Sequence, residues 1–218
     1  MYSIHHVTLA TRDFANTALW LEELGLASVQ GYRFPHVGWS NLVVPVSTET
    51  HQYIEVLGVT DPETASRHPY GGAIDALTAR GDRFVAWALL ADDVDAIGER
   101  IGVRPELWSA MSPDGEVVNW KLVGIIQSWA EPFLPFFRED PPDFHRSIDA
   151  TIAQAGHTVA PTGFSWVEVE GDEKRLREWL GDEEAPVRIT EGTPLLRSIG
   201  ISTADGDEIA ITPAGSRY

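Results

Sequence analysis

The first strand-like segment of the chain alternates between two faces. Within Ile4–Ala10, Val7 and Leu9 share one face. The opposite face carries Ile4, His6, Thr8 and Ala10. A strand with this period of two is covered by apolar packing on one side. We therefore expect His6 to point away from the aliphatic side.

The residues that follow show one helical pattern and then three further strand patterns. A helix is predicted over Asp13–Leu24, with Asp13 as its N-cap and Gly25 directly after its last turn. The strand-like segments are Ala27–Gln30, Trp39–Val46 and Gln52–Val59. The last two are rich in β-branched residues and flank a short polar stretch, which predicts a hairpin. The element order is β-α-β-β-β.

The same pattern recurs further along the chain. A shift of 80 positions pairs Leu9 with Leu89 and Asp13 with Asp93. Ordered self-similarity of this kind indicates two copies of one structural unit. The predicted elements of the second copy are a strand over Phe84–Leu90, a helix over Val94–Ile101, and strands over Pro105–Trp108, Val117–Ile125 and Phe133–Phe137.

The remaining segments predict a connector, a crossing and a third unit. The connector contains a helix within Pro69–Arg80, and the Pro-rich crossing contains a short helix near Ser147–Ala155. The third unit is predicted as a strand over Phe164–Val169, a helix over Asp172–Leu180, and strands over Val187–Thr190, Leu196–Thr203 and Glu208–Ile211. The expected divisions are module 1 at 1–60, the connector at 61–83, module 2 at 84–139, the crossing at 140–163 and the third α/β unit at 164–218.

Composition narrows the classes of partner. The 218 residues include 33 acidic and 16 basic side chains, which give a net charge of −17. Such a surface repels phosphate backbones and anionic headgroups, so nucleic-acid and membrane partners are disfavoured. The chain has no cysteine, its longest uncharged apolar run (Phe84–Ala91) is too short to span a bilayer, and no signal peptide is visible. We expect a cytoplasmic protein.

Several short motifs are similar to those of a known superfamily. They are His5–Asp13, Trp39–Pro45, Tyr53–Leu57, Asn119–Leu122, Leu134–Asp140 and Pro194–Arg197. Together they resemble the vicinal oxygen chelate superfamily and, within it, the glyoxalase-like domain family. The resemblance implies an α+β fold in which repeated βαβββ modules form a curved, partly closed mixed sheet around a concave pocket. An abbreviated third βαβββ-like unit follows these modules.

The resemblance also implies a candidate metal site. Metalloenzymes of the superfamily bind a divalent ion through a His on the first strand and a Glu on the fourth strand of one module, with two equivalents from the other. His6 and Glu55 match the first pair, and their strand parity directs both into the pocket. The equivalents in module 2 fall on Ala86 and near Pro135–Phe137, which are not ligands. Loop residues that could complete a site are His36, His51, His68, Glu139 and Asp140.

Without a metal, the same pair suggests acid–base chemistry. A carboxyl desolvated in an aromatic pocket can act as a general base, and His6 could share or relay the proton. The alternative is that His6 and Glu55 only satisfy each other inside the barrel. The chain has no Gly-rich phosphate loop, so no cofactor is established, and a divalent metal on His6 and Glu55 stays open.

Five further residues are candidates for ligand binding. Trp39, Trp120 and Phe136 lie on strands expected to line the concavity. Arg138 either pairs with a substrate carboxylate or forms a surface ion pair with Glu139 or Asp140. Asn41 either orients a carbonyl group or bonds to a strand edge. His5 is expected to face the helix side of the sheet or a sheet edge and receives no role.

Three functional hypotheses remain open at this point. The first is a protein that binds a small molecule and performs lyase, isomerase or hydrolase chemistry with Glu55 and His6. The second is a protein that sequesters its ligand unchanged, and the third is a structural module whose own side chains fill the cavity. A monomer and a homodimer are both compatible with two modules in one chain.

Overall fold

The computed structural model of the chain describes residues 1–47, 49–68, 70–141 and 155–216. The helices in this part are α1 (Phe14–Glu23), α2 (Pro62–Arg67), α3 (Gly71–Leu77), α4 (Val94–Ile101), α5 (Ile125–Ala130) and α6 (Glu173–Leu180). The strands are β1 (Ile4–Ala10), β2 (Val29–Phe34), β3 (Trp39–Ser47), β4 (Gln52–Val59), β5 (Arg83–Leu90), β6 (Glu106–Met111), β7 (Val117–Val123), β8 (Phe136–Glu139), β9 (Pro161–Glu170), β10 (Val187–Thr190), β11 (Leu195–Thr203) and β12 (Glu208–Ile211).

The first eight strands close into one barrel in the order β1-β4-β3-β2-β6-β7-β8-β5. Strand β1 runs parallel to β4 and antiparallel to β5, so it forms one of the two seams between the modules. The other seam joins β2 to β6, where Arg33 lies opposite Met111. The prediction of repeated βαβββ modules around a concave interior is confirmed, and the barrel is completed within a single chain.

The seam between β1 and β5 shows how the two modules are related. Val7 lies opposite Trp87, and these are the residues that a shift of 80 positions makes equivalent. In the parallel pairs, Glu55 lies opposite Thr8 and Phe136 lies opposite Ala88. Phe136 therefore occupies in module 2 the place that Glu55 occupies in module 1.

The buried apolar residues divide into an outer and an inner cluster. The outer cluster packs Val7, Leu9, Ile54 and Val56 against helices and the third unit. The inner cluster contributes rings to the interior of the barrel and includes Trp39, Tyr53, Trp108, Trp120 and Phe136. The alternation predicted for β1 and β4 is thus confirmed. Ile4 is the exception, because it joins the outer cluster.

Helix ends follow the sequence signals closely. The side chains of Asp13, Asp93 and Asp172 each accept a hydrogen bond from a backbone N–H of the first turn of α1, α4 and α6. This satisfies one of the donors that a helix start leaves without an intrahelical partner. Gly25 follows α1 with a φ of +83°, a conformation that glycine adopts without steric cost.

The second module departs from the predicted boundaries between β7 and β8. The strand predicted over Val117–Ile125 ends at Val123, because Gly124 has a φ of +89° and turns the chain into α5. The strand predicted over Phe133–Phe137 begins only at Phe136. Phe133 is apolar and fully buried, but it packs beneath Gly171 rather than in the sheet.

Two other strands are displaced from their predicted spans. The segments predicted over Ala27–Gln30 and Pro105–Trp108 correspond to β2 and β6, which start later and extend further. Helix α2 was not predicted, although Asp61 caps it and Pro62 stands in its first turn.

The third unit forms a separate sheet in the order β10-β9-β11-β12. It keeps the βαβββ element order, but its first strand pairs with its second and third strands, unlike the barrel modules. Helix α6 buries Leu176, Trp179 and Leu180, and the Trp179 indole donates to the carbonyl of Pro135 at 2.7 Å. The helix predicted near Ser147–Ala155 lies mostly outside the described residues. Within the described part of the chain, no helix has the length and apolar character needed to cross a membrane.

Candidate functional site

A cavity inside the barrel brings most of the candidate residues together. It encloses about 460 Å³ of empty space, including its open mouth. Its lining comprises His6, Thr8, Phe34, Trp39, Glu55, Leu57, Ala86, Trp108, Trp120, Leu122, Ile125, Trp129, Phe136 and Arg138. Six of the seven residues singled out in the sequence are among them. Trp108 and Trp129 were not anticipated.

Glu55 is held at the polar end of this cavity by two hydrogen bonds. Thr8 Oγ1 donates to Oε2 at 3.0 Å, and Asn41 Nδ2 donates to Oε1 at 2.6 Å. The backbone N–H of Tyr32 donates to Asn41 Oδ1 at 2.6 Å, which fixes the orientation of the amide. Asn41 lies behind Glu55 and outside the cavity lining, so the group that it orients is the Glu55 carboxyl.

The surroundings of Glu55 favour its neutral form. Burial raises the pKa of the Glu55 carboxyl above its usual range, since desolvation penalises the charged form. Hydrogen bonds from Asn41 and Thr8 and the charge of Arg138 oppose this rise without cancelling it. The imidazole of His6 lies beside this carboxyl, with 3.8 Å between His6 Nε2 and Glu55 Oε2. A carboxyl with a raised pKa beside an imidazole is able to accept and release protons.

The position of His5 differs from the one predicted from the sequence. Along the seam, Ile4 lies opposite Leu89 and His6 lies opposite Ala88, so His5 is an extra residue in a β-bulge. The bulge turns His5 toward His6, with 2.7 Å between the two Nδ1 atoms. The other nitrogen of His5, Nε2, lies 2.9 Å from Asp140 Oδ2. The expectation that His5 faces the other side of the sheet was wrong.

Arg138 forms an ion pair with an acid, which was one of the two interpretations drawn from the sequence. The pair is buried, however, and not on the surface. Its Nε donates to Asp140 Oδ1, and both side chains are at most 5% exposed. The guanidinium also lies 4.4 Å from the centre of the Trp120 ring. Burial would raise the pKa of Asp140, but the charge of Arg138 and the hydrogen bond from His5 hold that pKa well below its usual range.

His6 is kept neutral by its surroundings. Burial, the neighbouring His5 and the charge of Arg138 lower the pKa of His6 well below its usual range, and Asp140 opposes this only in part. The His6 ring stacks on Tyr53, with centroids 5.0 Å apart. The site therefore contains a neutral imidazole, a carboxyl with a raised pKa and a buried Arg–Asp pair.

Comparison with known proteins places this barrel in a family. The sequence model of the glyoxalase-like domain matches residues 4–184, which is most of the chain. The chain belongs to the glyoxalase-like domain family. This family lies in the vicinal oxygen chelate superfamily, so the resemblance stated from the motifs is confirmed. Among curated proteins, no sequence matches the chain significantly.

Solved structures share the fold of this glyoxalase-like protein at low sequence identity. A hypothetical protein from Staphylococcus aureus is 15% identical with a TM-score of 0.65, and the match covers 96% of this chain and 98% of that chain. A methylmalonyl-CoA epimerase from Mycobacterium tuberculosis is 17% identical with a TM-score of 0.43, and the match covers 66% of this chain and 91% of that chain. At these identities the likeness concerns the fold alone.

The metal site known from the superfamily does not fit the residues present. His6 and Glu55 supply two donors, but the equivalent positions on the second module are Ala86 and Phe136. Among the described residues, no three His, Cys, Asp or Glu side chains are grouped so that they could hold an ion. The positive charge of Arg138 acts on both His6 and Glu55, which opposes a divalent cation.

Metal titration tests this assignment. We expect the melting temperature of the protein to be the same in EDTA as in zinc, nickel or manganese, because a ligand that binds the folded state would raise it. Differential scanning fluorimetry provides the measurement. A metal-dependent rise that disappears in Glu55→Gln would contradict the assignment and place an ion on the His6–Glu55 pair.

Four of the residues that could have completed a metal site make contacts with other groups. The rings of His36 and His68 are 6.2 Å apart, near the rim formed by Tyr70 and Trp108. Glu139 accepts a hydrogen bond from the first turn of α4, and Asp140 bonds to His5. The Tyr70 ring is stacked 6.0 Å from Trp108 and lies edge-on 5.4 Å from Trp129, and both tryptophans line the cavity.

Proposed function

We propose that this glyoxalase-like protein binds a small organic carbonyl compound in the barrel and transfers a proton at the carbon next to the carbonyl group. Glu55 acts as the base in this proposal. The observation that carries it is a carboxyl with a raised pKa, held by Asn41 and Thr8 at the polar end of an aromatic cavity. His6, at 3.8 Å from Glu55, receives and returns the proton.

The proton transfer is balanced in charge. Glu55 takes the proton, and the electron pair of the C–H bond moves toward the carbonyl oxygen, which forms an enolate. One negative charge leaves Glu55 and appears on the substrate, so the total charge in the cavity is unchanged. Arg138, in the same lining, stabilises the new oxyanion. Return of the proton to another position or face of the substrate completes an isomerisation.

The cavity favours an uncharged substrate with an apolar body. Four tryptophans line it, and rings of this kind offer large flat apolar surfaces for a planar ligand. The charge of Arg138 is already matched by Asp140. A carboxylate substrate would bring a second negative charge close to Glu55, so we favour a neutral ketone over the carboxylate that Arg138 alone would suggest.

A ligand-sequestering protein is the second candidate function. The aromatic lining supports it, because stacking between tryptophans can bind a ligand without any chemistry. A structural module filled by its own side chains is not supported, since the cavity is open and carries polar groups. The two remaining candidates differ in whether the ligand is recovered unchanged.

Binding and proton exchange can be measured one after the other. Neutral cyclic and aromatic ketones and the matching carboxylates are first screened for quenching of the tryptophan fluorescence that the cavity provides. Compounds that bind are then incubated with the protein in D₂O, and loss of the proton next to the carbonyl is followed by NMR. We expect ketones to bind more tightly than carboxylates and to exchange. Binding without exchange for every compound would favour sequestration.

A further inference from the structure

A chain of three buried side chains leads away from the cavity behind His6. It runs from His6 through His5 to Asp140, with Nδ1–Nδ1 and Nε2–Oδ2 separations of 2.7 and 2.9 Å. We infer that His5 and Asp140 are positioning residues that present the bare Nε2 of His6 to the cavity and accept the positive charge when His6 takes a proton. This inference rests on the proposed function and extends it to residues outside the cavity lining.

The hydrogen-bonding partners determine which nitrogen atoms carry protons. A carboxylate only accepts hydrogen bonds, so Asp140 requires a proton on Nε2 of His5. A neutral His5 then has a bare Nδ1, and the short contact to His6 needs a hydrogen from Nδ1 of His6. His6 is therefore protonated on Nδ1, and its bare Nε2 faces Glu55 Oε2 at 3.8 Å.

Each of the three hydrogen-bonded side chains is shielded from solvent and held in place. His5 and His6 are 2% and 3% exposed, and the Asp140 side chain is 3% exposed. The ion pair with Arg138 keeps Asp140 in its carboxylate form. Tyr53 supports the two imidazoles, since the His6 ring stacks on it and the His5 ring meets it edge-on at 5.3 Å.

The hydrogen-bonded series His6–His5–Asp140 allows a proton to be stored without leaving a charge on His6. The proton that Glu55 removes from the substrate passes to Nε2 of His6, while the proton on Nδ1 of His6 moves to Nδ1 of His5. His5 becomes an imidazolium paired with Asp140, and His6 becomes neutral with a proton on Nε2. One proton enters His6 and one leaves it, so no further reactant is required. Reversal of these steps returns the proton to the substrate.

The test reads the histidine tautomers directly, in the unaltered protein. Long-range proton–nitrogen NMR correlations of ¹⁵N-histidine-labelled protein distinguish protonation on Nδ1 from protonation on Nε2. We expect His5 to be protonated on Nε2 and His6 on Nδ1, with signals assigned through His5→Gln and His6→Gln. His157 is an internal reference, because its Nδ1 accepts from the N–H of Ala27 and its Nε2 then donates to the carbonyl of Pro45.

Two outcomes of this measurement would overturn the inference. The first is protonation of His6 on Nε2 in the resting protein, and the second is a zinc-dependent change of the His6 signal. Because the tautomers are measured without substrate, they stand or fall independently of the proposed activity. Absence of exchange with every ketone would remove the proposed function and leave the tautomer assignment intact.

Kinetics provides a second readout once a substrate is found. His5→Gln is expected to lower kcat by about 10²-fold with KM nearly unchanged, because the substrate does not contact His5. Asp140→Glu, which keeps the carboxylate, is expected to retain much more activity than His5→Gln. A rise in KM with kcat unchanged for His5→Gln would show that His5 affects only substrate binding and would contradict the relay.

Discussion

Glu55→Gln is expected to abolish proton exchange while leaving ligand binding intact. The loss of the general base should lower kcat by about 10²- to 10⁴-fold. Glutamine has nearly the same shape, its oxygen can accept from Asn41, and its amide can donate to Thr8, so the cavity should keep its form. Exchange by NMR and tryptophan quenching measure the two properties separately. Glu178→Gln, on the exposed surface of α6, is the matched control.

The same substitution should make the fold more stable at alkaline pH. Burial raises the pKa of Glu55 in the folded state, so its contribution to stability is complete below its unfolded pKa and is lost as pH rises through the folded pKa. Glutamine cannot ionise and avoids this loss. The melting temperature of Glu55→Gln should exceed that of the wild type at pH 8 and approach it near pH 4. Loss of exchange together with a lower melting temperature would instead indicate a damaged fold.

Asp140→Asn is expected to produce the largest loss of stability. Arg138 is 5% exposed, and the substitution removes the carboxylate that forms a buried ion pair with it. Breaking a buried ion pair in this way costs about 3–5 kcal/mol. Chemical denaturation at pH 7 measures the change. The same substitution also removes the acceptor of the His5 hydrogen bond, so its effect should exceed that of His5→Gln.

The stability loss of Asp140→Asn should depend on pH in a defined direction. The folded pKa of Asp140 is depressed, so its contribution is present above its unfolded pKa and is lost as pH falls toward the folded pKa. The difference between wild type and variant should therefore shrink below about pH 4. Asp95→Asn removes a carboxylate from the exposed pair with Lys121 and should cost far less. Equal losses in the two variants would contradict a special role for the buried pair.

Strand parity explains why the cavity could be predicted from the sequence. Because side chains alternate along a strand, the apolar Val7 and Ile54 imply that His6 and Glu55 face the other side. These deductions need only local periodicity. The repeat of 80 positions places Ala86 at the His6 equivalent, and the resemblance to the superfamily then implies an incomplete metal site.

The network behind His6 could not be predicted in the same way. His5 points toward His6 because of a bulge, and a bulge depends on how β1 and β5 pair rather than on either strand alone. Asp140 lies 135 positions from His5, and no local pattern links the two. Trp129 was missed because the helix on which it lies, α5, was not predicted, and only its first residue, Ile125, fell within a predicted strand.

The sequence by itself determined the order of most elements, the alternation of β1 and β4 and six of the residues that line the cavity. These follow from periodicity and capping, which act over a few residues. Only the tertiary structure decided the partners of the polar groups: Asn41 with Glu55, His5 with His6, and Arg138 with Asp140. The physical reason is that burial, register and bulges bring together residues distant along the chain. Those contacts set the pKa values on which the proposed chemistry depends.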